Sequence, residues 1–341
     1  MSFSDPVGAR AGTSRRSLIA GAAAAPAFVA ASPRLAQAQG CEDTLGQVRA
    51  ALAGASGTKL VLLGTGAGPG PGRTRRMTSN VMLSNGAAYV LDCGLGVTDQ
   101  FARTGIHFGA LRSIFITHHH PDHNIEYGPL LVIGWLQGMP LTVRAFGPPP
   151  LRQMTEDFLR AYRATIDFWA QDHPALPPLL AVDAQEVSSA GPVTKDDNVK
   201  VTAAIVSHPP VKPALAYRFD FHDRSIAFSG DTTPLAAVAQ LAKGADILVH
   251  EAMLMSRVDG FIRATLAGGA PGTFDEFRAG LTADHSPVED VGRIAQEAGV
   301  KTLVLSHLTP ALSDITDDEW RAPAARVFKG EIVVARDLMV L

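Results

Sequence analysis

The sequence predicts an α/β fold, an αββα four-layer sandwich in which two sheets pack face to face with helices outside. Three observations carry that expectation. Short β-rich runs alternate with helical patterns; the alternation runs through two successive halves, parted by the Pro-rich stretch His173 to Pro178; and histidines or carboxylates stand just beyond several apolar strands. A chain of 341 residues, 46% hydrophobic and 18% charged, has the material for a large core.

The first residues differ in character from the rest. Ser14-Arg15-Arg16-Ser17-Leu18-Ile19 sets two arginines before the Ala-rich apolar run Leu18 to Ala31, and Ala36-Gln37-Ala38 offers small residues for cleavage. Residues 1–38 resemble a twin-arginine export signal, which implies a periplasmic or secreted protein. The run is shorter than the roughly 20 apolar residues that a spanning helix needs, so no membrane anchor is expected after cleavage. Residues 39–57 read as a linker, and residues 58–341 as the functional domain.

Within that domain Thr58 to Gly64, Ser79 to Ser84, Ala87 to Asp92 and Ser113 to Thr117 read as strands, the second and third joined by the hairpin signal Asn85-Gly86. Helices are expected at Asn124 to Gln137 and Leu151 to Ala170, with a strand at Leu141 to Ala145 between them. The second half offers strands at Val199 to Val206, Ala214 to Phe221 and Ser225 to Ser229, a helix at Pro234 to Lys243, and a buried strand at Ala245 to His250. A helix near Pro287 to Gly299, a strand at Thr302 to Ser306 and a hairpin near Glu331 to Leu341 close the chain.

Net charge is −3, so no global positive field draws in nucleic acid or anionic membranes. The two cysteines, Cys41 and Cys93, are too few for a disulfide scaffold and lack CxxC spacing; whether they pair is open. The glycines of Leu63 to Pro71 fit no register of GxGxxG, and a strand rather than a helix follows them, which argues against nucleotide binding.

The strongest chemical signal is Thr117-His118-His119-His120-Pro121-Asp122-His123, an HxHxDH pattern at a strand end. His118 and His120 point the same way in extended chain and can share one ion, whereas His119 points opposite and is not expected to be a ligand. Asp122 and His123, beyond the proline turn, are free to face a second ion.

HxHxDH resembles the signature of the metallo-β-lactamase superfamily, and further motifs follow in that family's order. Ser207-His208 precedes the tyrosine-containing run Ala214 to Phe219, as in the ribonuclease Z and arylsulfatase branch; Ser229-Gly230-Asp231-Thr232 follows a strand; Leu303 to Ser306 leads into His307. The resemblance implies that His118, His120 and His208 hold one ion, that Asp122, His123 and His307 hold another, and that Asp231 touches both. Imidazole and carboxylate without thiolate suit two divalent ions, zinc first, with manganese or iron also accepted. Two such cations would make hydroxide available from water near neutral pH, the expected nucleophile.

By the same resemblance His285 stabilises charge or protonates the leaving group, and Glu251 of His250-Glu251-Ala252 supports it; helix capping by Ser286 before Pro287 and a plain buried polar pair are the alternatives. Arg73 and Asn80 fall in a stretch that would shape the rim of the site, and Asp92-Cys93-Gly94 also fits the family. Met253 to Thr282 reads as an insertion, either a pocket wall or a surface excursion.

Ribonuclease Z holds transfer RNA with a long arm after the tyrosine strand, but here Phe221 runs through His222-Asp223-Arg224 straight into the next strand. That missing arm and the export signal lead to the expectation of a hydrolase of small sulfate esters or phosphodiesters, with no nucleic-acid substrate. Lactone or β-lactam hydrolysis is the enzymatic alternative, and a non-catalytic periplasmic metal-binding protein the alternative of another class. A homodimer is expected only by analogy with ribonuclease Z.

Overall fold

The computed structural model describes residues 45–53, 57–70, 74–175 and 182–341. The stretch read as an export signal, Cys41 and Arg73 lie outside the described residues. Residues 45–53, within the stretch read as a linker, form helix α1, whose Val48 is buried in the core of the first half.

Two seven-stranded sheets make the inner layers. The first has the order β14-β1-β2-β3-β4-β5-β6, from β1 (Lys59–Gly64), β2 (Ser79–Ser84), β3 (Ala87–Leu91), β4 (Leu111–Phe115), β5 (Arg144–Gly147), β6 (Asp183–Glu186) and β14 (Met339–Val340). The second has the order β13-β12-β11-β10-β9-β8-β7, from β7 (Gly191–Lys195), β8 (Val199–His208), β9 (Val211–Phe221), β10 (Ser225–Phe228), β11 (Ile247–Met253), β12 (Thr302–Thr309) and β13 (Glu331–Val334). The αββα expectation holds. The terminal hairpin does not: β13 joins β12 in the second sheet while β14 pairs with β1 in the first, so the chain end crosses between sheets.

Period-2 alternation sorts the side chains into layers. On β1, Leu60 and Leu62 face the other sheet while Val61 and Leu63 face the helices; on β12, Val304 points inward and Leu303 and Leu305 outward. Aromatic residues fill the space between the sheets, with Phe115 stacked on Phe146 at 5.1 Å and edge-on to Phe219 at 4.9 Å. Fully burying one such side chain contributes about 1.5–3 kcal/mol. Outside the first sheet lie α1, α2 (Val97–Thr104), α4 (Tyr127–Leu136), α5 (Leu151–Ala161) and α6 (Arg163–Asp172); outside the second lie α7 (Ala236–Leu241), α10 (Val288–Ala298) and α11 (Asp317–Ala325). Short α3 (Pro121–Asn124) follows β4.

In each sheet one half is parallel: β3 to β6, and β10 to β13. Parallel strands bring their carboxyl ends to one edge, where open α/β sheets bind ligands. The insertion Met253 to Thr282 folds largely into a helical hairpin, α8 (Met255–Ala267) and α9 (Phe274–Asp284), with a small core of its own around Val258 and Ile262. Among the described residues no helix is long and apolar enough to cross a membrane.

Candidate metal centre

The segment after β4 is anchored from below by Asp92, which ends β3 in a left-handed conformation at φ 61°. Its Oδ1 accepts the Thr117 N–H at 2.8 Å, and its Oδ2 accepts the Thr117 hydroxyl at 3.0 Å and His123 Nδ1 at 2.9 Å. His123 is thereby oriented with Nε2 toward the centre. Pro121 opens α3 at a position where its missing N–H costs nothing, and the first turn places Asp122 and His123. Asp122 Oδ2 accepts the Gly68 N–H at 2.8 Å. His119 turns away, with Nε2 2.8 Å from the Pro148 carbonyl oxygen.

Three more side chains arrive from the second sheet. His208 ends β8 just past a register shift at Ser207, and its Nδ1 donates to the Asp284 carbonyl at 2.9 Å. Asp231 follows β10 through Gly230, whose φ of 59° and 2.5 Å Cβ approach to the Leu215 carbonyl oxygen leave no room for a side chain. His307 is the extra residue of a β-bulge: Glu251 pairs with Ser306 and Ala252 with Leu308, so His307 is unpaired, at φ 43°. The bulge turns this ring toward the site.

These elements produce two groups of donor atoms, His118, His120 and His208 in one and Asp122, His123, Asp231 and His307 in the other, with the atoms of each group within 4.8 Å of one another. Asp231 Oδ2 stands between them, 3.8 Å from both His118 Nε2 and His208 Nε2, 3.3 Å from His123 Nε2 and 3.2 Å from His307 Nε2. Ligand atoms roughly 2.0–2.2 Å from one tetrahedral ion stand about 3.3–3.6 Å apart, which matches this spacing. His118 Nε2, His123 Nε2 and Asp231 Oδ1 are buried without a hydrogen-bond partner, and a divalent cation satisfies such atoms. The residues therefore fit two divalent ions.

The electrostatics agree. Burial lowers His118 well below the usual imidazole range, with the cluster of histidines adding to the effect, so it is a neutral donor. Burial opposes charge on His123 too, but the carboxylates of Asp231, Asp92 and Asp122 outweigh it and raise its pKa well above normal. Burial likewise opposes ionisation of Asp122 and Asp231, and the surrounding imidazoles overcome it, keeping both carboxylates ionised. This centre is short of positive charge, which a divalent cation would supply in place of the His123 proton.

Beside the donors, His285 follows α9. Its Nδ1 lies 3.2 Å from Glu251 Oε2, while Glu251 Oε1 accepts the N–H groups of Thr232 at 3.0 Å and Ser286 at 3.1 Å. Burial disfavours the His285 imidazolium, but the Glu251 carboxylate prevails and pushes the pKa up to about 9. His250 points elsewhere, its Nδ1 2.7 Å from the Glu251 carbonyl oxygen. Asn80, expected at the rim, is buried beneath the ligands instead. Cys93 is a buried free thiol. Sequence reasoning gave no role to Asp92 or Gly68, although an aspartate just past an apolar strand was a visible signal for the first.

Sandwich and donor set together define a metal-dependent hydrolase. The chain belongs to the metallo-β-lactamase superfamily: residues 88–308 match the family described as beta-lactamase superfamily domain. It is 33% identical over 283 residues to ribonuclease Z of Mycobacterium avium (strain 104), covering 82% of this chain and 96% of that protein. It is 34% identical over 284 residues to ribonuclease Z of Mycobacterium sp. (strain KMS), covering 82% and 94%. Among solved structures, the short form of human tRNase Z shares the fold with a TM-score of 0.59, 22% identity and coverage of 83% and 98%. The Zn(2+)-bound PqqB of Methylobacterium extorquens does so with 0.58, 15%, 83% and 99%.

These relatives correct one expectation. Nucleic acid was excluded because β9 turns directly into β10 and because an export signal was read, yet relatives matched along nearly their whole length are ribonucleases. The β9–β10 turn lies outside the metal centre, so it does not constrain which ester the centre cleaves.

Proposed function

We propose that this chain is a two-metal phosphodiesterase with RNA phosphodiesters among its substrates. The observation that carries the reading is Asp231 Oδ2 standing between two groups of donor atoms, with His285, backed by Glu251, beside them. The names of the ribonuclease Z relatives favour a phosphodiester over a sulfate ester. His118, His120 and His208 would hold one ion, Asp122, His123 and His307 the other, with Asp231 shared. Zinc fits this imidazole and carboxylate set. When bound, two such ions supply Lewis acidity toward the phosphoryl oxygens and a nucleophile from water near neutral pH. The chain's own residues do the rest. Asp92 fixes the His123 ring, Glu251 holds the proton on His285 Nδ1, and His285 offers the proton on Nε2 to the departing oxygen.

Zinc-reconstituted protein assayed on short RNA, bis(4-nitrophenyl) phosphate, 4-nitrophenyl sulfate, a lactone and a β-lactam tests the reading. Expected is chelator-sensitive turnover of the phosphodiesters that falls roughly a thousandfold or more in Asp231→Ala. Turnover confined to the sulfate, the lactone or the β-lactam would overturn it. Export by the twin-arginine route belongs to the same proposal, and cell fractionation of the full chain with and without that translocase decides it.

A further inference from the structure

We infer that the hairpin of α8 and α9 builds a seat for one planar aromatic ring next to the scissile ester, a nucleobase where the substrate is RNA. This inference rests on the phosphodiesterase reading. A cavity of about 600 Å³ opens beside His285, within the range of small-molecule sites. One wall comes from Ala67 to Gly70 after β1, where Gly68 also clamps Asp122, and from the segment after β12, with Pro310 and Leu312.

The opposite wall is the hairpin. Phe277 and Leu281, one turn apart on α9, face the cavity, as do Phe261 and Thr265, one turn apart on α8. Arginines of the hairpin are engaged elsewhere: Arg278 with Asp259 at 3.0 Å, Arg257 with Glu319 at 2.6 Å, and Arg263 over the Phe274 ring at 4.9 Å. Among the described lining residues none is Lys, Arg, Asp or Glu. Two phenylalanines, two leucines and two prolines around this cavity match what stacks one unpaired base or aryl group. Because His285 lines the same cavity and faces the departing oxygen, the ring belongs to the leaving alcohol.

Calorimetry on the zinc-loaded protein tests this with two probe pairs, each differing in the ring: phenylphosphonate against methylphosphonate, and uridine 3′-phosphate against ribose 3-phosphate. The ring is expected to tighten binding roughly ten- to a hundredfold. An advantage in the nucleotide pair identifies a base as occupant, and one in the phenyl pair alone a simple aryl group. Phe277→Ala should cut the advantage about tenfold. Thr265→Trp fills the seat from α8 and should abolish it, which keeps the test sound if loss of Phe277 loosens the hairpin. Equal affinities within both pairs, or an advantage untouched by both variants, overturn the inference. Since binding is read without turnover, a ring advantage in protein that cleaves no phosphodiester sinks the phosphodiesterase reading and leaves the seat standing.

Discussion

Replacing Gly68 with alanine sets a methyl group where none fits. An ideal Cβ at this position would lie 2.3 Å from Asp122 Cβ and 2.6 Å from its Cγ. Carbon atoms in contact sit roughly 3.5–4.0 Å apart, so the loop or the aspartate must move by more than about 1 Å. The 2.8 Å bond from the Gly68 N–H to Asp122 Oδ2 is lost with that movement. A hydrogen bond to a charged group contributes about 1.5–3 kcal/mol, and a 1 Å misplacement near the chemistry costs on the order of a hundredfold. We therefore expect kcat/KM for bis(4-nitrophenyl) phosphate to fall roughly a hundredfold and the zinc held through Asp122 to dissociate more readily. Steady-state kinetics at saturating zinc and metal content after dialysis measure the two effects. Gly46→Ala is the control, since its Cβ meets nothing within 4 Å. If Gly68→Ala behaves like wild type in both assays, the loop does not clamp the ligand and the geometric reasoning fails.

Three further outcomes follow from the structure. Glu251→Gln removes the carboxylate that raises His285 to about 9. Activity that needs the imidazolium persists below that pKa and is lost as pH rises through it, so the alkaline limb of the rate profile should move to lower pH by about 1–3 units; an unmoved limb would refute the pairing. Removing metal should leave buried carboxylates without their cations. For two ions, each present at about a hundredfold over Kd, this costs about 2.7 kcal/mol per ion, or roughly 5–10 °C in Tm for the pair, and scanning calorimetry with and without chelator reads it; an unchanged Tm would mean that no ion binds at the folded centre. Gly260→Ala, at an exposed position inside α8 where a Cβ meets nothing within 4 Å, should stabilise by about 0.5–1 kcal/mol; a lower Tm would show that α8 packs against something there.

Much of the site is legible in linear order because metal chemistry is demanding about residue type. His118, His120, Asp122 and His123 stand within one turn of chain, and His208, Asp231 and His307 each follow an apolar run. Strands with period-2 apolar patterns announced both sheets and the layers. The pairing of the last two strands with different sheets was not legible, because partner choice depends on which edge is open and not on local pattern. The exclusion of nucleic acid failed for a similar reason: the missing arm would lie at the β9–β10 turn, whereas ester choice is made at the centre.

By itself, then, the sequence determined the donor types, their order at strand ends and the two-sheet sandwich that gathers them, since these follow from local periodicity and the chemistry of imidazole and carboxylate. Only the tertiary structure decided the aim of each donor. His307 enters through a bulge seen only once β11 and β12 are paired, His123 is turned by Asp92 from another strand, and Gly68 is needed because Asp122 packs against it from far along the chain. Register and close contact are properties of paired elements, and no single segment of the chain contains them.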